Sequence, residues 1–166
     1  MDMKKLVMLV LAMMLMVSFA LAQSPVLLME MPQDAQMIEN VMFDDGDFIQ
    51  TYQLAGSANV HLLRYEAFDM TIDDMIASEW VGAQNMTAMD IDSIGGYPAS
   101  GVTLSCAQDG ADMVDVAIVM VDYGAGKLVF ESVVPQGDSA GAAAVQAMIQ
   151  SLRVLGGEDS TEAEVG

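Results

Sequence analysis

The chain has 166 residues, with 24 acidic side chains against five basic ones and a formal charge of −19. Such a surface repels nucleic acid and anionic lipid, which excludes nucleic-acid binding and favours cations or basic partners. Cys106 is the single cysteine, so no intramolecular disulfide forms and stability has to come from core packing.

The first segment carries Lys4 and Lys5, an apolar stretch from Leu6 to Phe19, and then Ala20-Leu21-Ala22. A charged start, a short apolar core and a small-x-small end read as a secretory signal cut after Ala22. The stretch is short of the roughly 20 apolar residues that span a bilayer. Gln23 follows the cut where a bacterial lipoprotein would need cysteine. Residues 1–22 are therefore expected to be a signal peptide, and the mature chain secreted or extracytoplasmic with no membrane insertion. The mature chain keeps Arg64, Lys127 and Arg153 against 23 carboxylates.

From Val26 the pattern favours strands. VLLMEM is a short apolar run ended by Pro32, which cannot donate to a central ladder. AQMIENVMF is ambiguous between a helical turn and a strand. FDDGDF, residues 43–48, has the chemistry of a tight reversal. FIQTYQL and VHLLRYEAF, joined by a small Gly/Ser/Asn connection, read as a hairpin. TIDDMIASEWVGA is the first helix, capped by Thr71 with Asp74 three residues on, and Ile72, Met75, Ile76 and Trp80 form its apolar stripe.

MTAMDIDSI follows, and then Gly95-Gly96 at the mouth of an apolar run. In DMVDVAIVMVDY, Val114, Val116, Ile118 and Met120 share one face, and Ala117, Val119 and Val121 share the other. A strand apolar on both faces is covered on both sides, so this one is expected to be central. A glycine turn makes it antiparallel to KLVFESVVP. Asp138 or Ser139 caps a last helix expected to run to Leu155, with Arg153 in its final turn and Gly156-Gly157 as the stop. Residues 156–166 form an acidic tail expected to be disordered. The domain expectation is thus a single α+β unit over 23–155, a mostly antiparallel sheet flanked by helices.

Little in the chain points to catalysis. His61 is the one histidine, and no feature brings it to Cys106 as a base beside a nucleophile. The stretch DSIGGYPASG has no following helix and no lysine, so it is not a phosphate cradle but a turn or bulge into a strand. Asp44, Asp45 and Asp47 offer oxygens to calcium but lack the twelve-residue loop pattern and its distal glutamate. Asp90 and Asp92 are expected on one strand face as a second acidic pair. Met29-Glu30-Met31 has a copper-like spacing, but methionines at core-facing positions act as gap fillers. Trp80 belongs to the helix stripe. Tyr97, beside Pro98, is the residue singled out as a partner contact. No catalytic, cofactor or metal residue is assigned.

The element order and two local marks resemble the PsbP/Mog-type superfamily of small α/β/α sandwiches. One mark is Ile94-Gly95-Gly96-Tyr97-Pro98-Ala99, opening into the central strands. The other is Met148-Ile149-Gln150-Ser151-Leu152 at the end of the last helix. The resemblance would cover about residues 25 to 155. It implies a helix-flanked sandwich with a non-catalytic accessory, assembly or partner-binding role, and it offers no catalytic residues. The expected function is an exported, non-catalytic, monomeric domain that binds a protein partner at or outside the cell envelope. The alternative is an extracytoplasmic module for calcium or another cation.

Overall fold

The computed structural model describes residues 25–54, 56–66, 69–108 and 112–156. The expected signal segment and the tail from 157 onward lie outside the described residues. The compact unit is Val26–Leu155. Its strands are β1 (Val26–Leu28), β2 (Gln36–Met42), β3 (Phe48–Gln53), β4 (Asn59–Glu66), β5 (Gln84–Ala88), β6 (Ser93–Ile94), β7 (Tyr97–Gln108), β8 (Asp112–Asp122), β9 (Gly126–Pro135) and β10 (Arg153–Leu155). Its helices are α1 (Ile72–Glu79) and α2 (Ser139–Gln150).

Seven strands form one antiparallel sheet in the order β2-β3-β4-β9-β8-β7-β5, with β6 added to β7. β1 and β10 form a separate two-stranded ribbon. β9 lies in the middle, and β8 beside it is an interior strand, as its two-faced apolar pattern requires. Val119, Val121, Leu128 and Phe130 join Val145 and Met148 of α2 and Leu27 of β1 in one core. Val116, Ile118, Met120 and Val129 join Met75 and Trp80 of α1 in the other.

The expected helix-flanked α/β/α sandwich is not the architecture found, which is a β-rich sandwich. The three longest strands have 12, 11 and 10 residues, whereas α1 has eight residues and α2 twelve. Seven strands at about 4.8 Å span about 29 Å, and a helix is about 10–12 Å across. One short helix per face therefore covers only part of the sheet, and the ribbon contributes to the covering on the α2 side. Local periodicity revealed both helices but not how little surface they cover.

Several turns follow the sequence chemistry. Thr71 Oγ1 accepts from the Asp74 amide at 3.2 Å while Asp74 Oδ2 accepts from the Thr71 amide at 2.9 Å, closing the capping box of α1. AQMIENVMF resolves as β2, paired with β3 through a reversal at 43–47. Gly95 and Gly96, at φ of 60° and 83°, are the two residues between Ile94 and Tyr97, which pair across the turn. Positive φ at both centres is the type I′ geometry that suits a hairpin's twist.

The end of α2 departs from expectation. Helical periodicity continues through Leu152 and Leu155, but the helix stops at Gln150 with Ser151 as its cap. Ser151 Oγ donates to the Met148 carbonyl at 2.8 Å and accepts from the Glu30 amide at 2.8 Å. The chain then enters β10, where Arg153 pairs with Leu28 instead of lying in a last helical turn. Pairing with β1 outweighs local helical preference.

Between β8 and β9 the chain reverses tightly, and Gly126 packs where no side chain fits. A Cβ there would lie 2.0 Å from the Tyr65 carbonyl oxygen on β4. Gly126→Ala is therefore expected to cost about 1–3 kcal/mol by overpacking. Gly124→Ala, with open space but φ of +86°, serves as the strained yet unobstructed comparison. Urea denaturation of both variants checks this, and G126A is expected to be the weaker.

Candidate functional site

Three features stand out: a polar row on the α1 face, a groove under α2, and the β2 edge. The row runs across neighbouring strands, because Glu39 pairs with Thr51, Thr51 with His61 and His61 with Glu131. Thr51 Oγ1 donates to Glu39 Oε2 at 3.0 Å, so it is free to accept from His61 Nδ1 at 3.1 Å. That network assigns the His61 proton to Nδ1. Burial lowers the His61 pKa, opposed by the Glu39 charge.

Glu131 sits in the most buried strand, its carboxylate accepting from Trp80 Nε1 at 3.1 Å. Burial raises its pKa to about 7, the indole hydrogen bond pulls the other way, and the Glu79 charge adds to the rise. Sequence reasoning missed Glu131, although an acid inside the apolar run LVFESVV was the signal for it. The hydrogen bonds within the row are made to its own members and to Trp80, which is itself buried. The arrangement ties a sheet face together, and its Thr51 hydroxyl is already engaged on both sides.

On the opposite face, α2 and strands β7, β8 and β9 enclose a groove of about 490 Å³. Its floor has two adjacent rows in register: Thr103, Ala117 and Ser132, then Ser105, Asp115 and Val134. Ser105 Oγ donates to Asp115 Oδ1 at 2.8 Å. Ser132 is 0% exposed, and its Oγ has no hydrogen-bond partner among the described residues.

The third feature is β2, which among the described residues has β3 as its one sheet neighbour. A register shift between Met37 and Glu39 leaves Ile38 unpaired and 57% exposed. Met37 and Phe43 are also exposed, and Met42 is 72% exposed.

The acids of the 43–47 turn serve the turn itself. Asp45 Oδ1 accepts from the Asp47 amide at 3.2 Å, and Asp47 Oδ1 accepts from the Glu66 amide at 2.5 Å. Arg64 donates to the Gly46 carbonyl, lies 3.7 Å from Glu66 and stacks 5.2 Å from the Phe48 ring centroid. Asp90 and Asp92 do not share a strand face as expected. They lie in the connection between β5 and β6, where the chain leaves the sheet before the glycine hairpin. Among the described residues, no three His, Cys, Asp or Glu side chains group in a way that would hold a metal ion.

Cys106 is buried on β7, and His61 is on β4, three strand spacings away at about 4.8 Å each. The structure does not bring the pair together. Met29 and Met31 pack against the α2-side core, as does the half-buried Tyr97. Among the described residues, no helix is long and apolar enough to cross a membrane, which says nothing of a β-barrel.

No family model matches the chain, and no curated protein matches it. The PsbP/Mog-type resemblance therefore gains no family-model support. Among solved structures the chain is similar to LpqN, described as involved in cell envelope biogenesis of Mycobacterium tuberculosis. The identity is 16%, over 79% of this chain and 84% of LpqN, with a TM-score of 0.44. At that score the likeness assigns neither fold nor role.

Glu131 gives the α1 face a pH signature. A carboxyl whose folded-state pKa is raised contributes stability that is full below its unfolded value of 4.5 and is lost as pH climbs through about 7. Glu131→Gln keeps an acceptor for the Trp80 indole without the charge. The variant is expected to match the wild type near pH 4.5 and exceed it by about 3 kcal/mol at pH 8. Urea denaturation across that range checks the stability. Trp80 fluorescence is expected to titrate near pH 7 in the wild type alone.

Proposed function

We propose that this chain is an exported, non-catalytic binding domain that takes an extended segment of a protein partner along β2. The observation that carries the reading is an edge strand that among the described residues is paired on one side, with exposed Ile38, Met42 and Phe43 side chains. Edge strands are usually blunted by lysine, proline or a covering loop, and β2 contains neither residue. Its bulge breaks the ladder only at Ile38, so Glu39–Met42 keep a regular register with β3 on their other side.

Charge defines the partner. The net charge of −19 makes two copies of this chain repel, and Glu39, Asp44 and Asp45 surround the edge with acid. The fitting occupant is an apolar strand flanked by lysine or arginine, added by main-chain pairing. The export part of the reading rests on the charged start, apolar core and Ala-Leu-Ala end of residues 1–22.

A peptide of alternating valine and threonine flanked by lysines tests the idea directly. It is expected to shift the amide resonances of Gln36–Met42, and a glutamate-flanked counterpart is expected to bind at least about tenfold more weakly. The double variant Ile38→Lys, Met42→Lys is expected to abolish the shifts while keeping the fold's spectrum. Shifts confined to β5, or equal binding of both peptides, would overturn the proposal.

A further inference from the structure

We infer that the groove between α2 and strands β7–β9 binds a small aliphatic amino alcohol. Its volume of about 490 Å³ lies within the range of about 300–1,000 Å³ that small-molecule sites occupy. The space exists because the floor is cut low at Ala117, the centre of the row between Thr103 and Ser132. Val134 on the floor and Val145 and Ile149 on the roof supply an apolar wall for a hydrocarbon body.

Two polar groups then fix the head. Ser132 is fully buried, and its hydroxyl oxygen has no partner among the described residues, although it lines this groove. A buried hydroxyl without a partner loses its hydration and gains nothing in return, so a ligand hydroxyl that bonds it is favoured. Asp115 is exposed at the groove, and among the described residues its Oδ1 alone accepts a hydrogen bond, from Ser105 Oγ at 2.8 Å. Its second oxygen is placed to take a charge-assisted hydrogen bond from an ammonium group.

The two groups also set the spacing. Asp115 and Ser132 are diagonal neighbours on β8 and β9, since Asp115 pairs with Val134 and Ser132 with Ala117. Diagonal positions on one sheet face are about 7–8 Å apart, and two side chains reaching inward shorten that gap. Nitrogen and oxygen on neighbouring carbons suit it. None of Arg64, Lys127 and Arg153 lines the groove, so an anionic head would meet a carboxylate with no cation to offset it. Amines are admitted and carboxylates refused.

The test uses the full chain and three compounds below their micellar concentrations: 2-amino-1-octanol, octylammonium and octanoate. Calorimetry is expected to show one site for 2-amino-1-octanol, bound about tenfold tighter than octylammonium, with octanoate not binding. Ser132→Ala is expected to erase the difference between the two amines, and Asp115→Asn to weaken both about tenfold. The asparagine keeps an oxygen for Ser105, so an unchanged melting temperature confirms an intact fold. The inference is overturned if octanoate binds as well as the amines. It is overturned equally if the amino alcohol keeps its advantage in S132A, if D115N leaves both amines unaffected, or if none of the three binds. These readouts lie away from β2, so the strand-pairing proposal and this one stand or fall separately.

Discussion

Ile118 and Val119 are successive residues of one strand, point to opposite sides of the sheet, and are both 0% exposed. A strand in that condition needs a covering layer above and below, and the same holds for Val129 and Phe130 on its neighbour. The other elements can be understood as answers to that demand. α1 brings Met75 and Trp80 to one side. α2 and the β1–β10 ribbon bring Val145, Met148 and Leu27 to the other. Burying a side chain of this size is worth about 1.5–3 kcal/mol, so a handful of such residues governs whether the sheet forms at all.

Within that dry centre, β9 carries two polar residues in succession, Glu131 and Ser132, which face opposite layers. Their situations contrast. Glu131 has an indole N–H as its partner and is drawn toward its neutral form by burial. Ser132 faces the side beneath α2, and its hydroxyl oxygen has no partner among the described residues. Beside Glu131 the layer is filled by Trp80, whereas above Ser132 the small-residue helix SAGAAAVQAMIQ leaves a groove. Side-chain size in the covering helix sets how closely each of the two polar residues is packed.

The sheet's interior was legible in the sequence at β8, whose apolar residues on both faces mark a strand covered on both sides. The Thr71–Asp74 cap and the Gly95-Gly96 hairpin were legible for the same local reason, since each is specified by a few adjacent residues. The edges were not. β2 mixes exposed apolar and polar residues without clean alternation, because its bulge shifts the phase at Ile38. The end of α2 was not legible either, because Leu152 and Leu155 keep helical spacing while Arg153–Leu155 pair with Val26–Leu28, far away in sequence. The groove escaped notice because it depends on Thr103, Ala117 and Ser132 lying side by side, and strand register is not written in any one segment.

Pairing of β1 with β10 has one more consequence. Val26 lies opposite Leu155, so the path of the compact unit returns to its own starting point. Val154 of that ribbon also sits against Gly95, where an added Cβ would come within 3.2 Å of it. The unit is therefore nearly circular in connectivity, closed by a contact that spans its whole length. Loop-closure entropy makes such a contact the costliest to form first, so the ribbon is the clasp that fastens after the sheet has assembled. A chain joined from Leu155 to Val26 and reopened at Gly124 would keep every strand pair while converting the clasp into a hairpin.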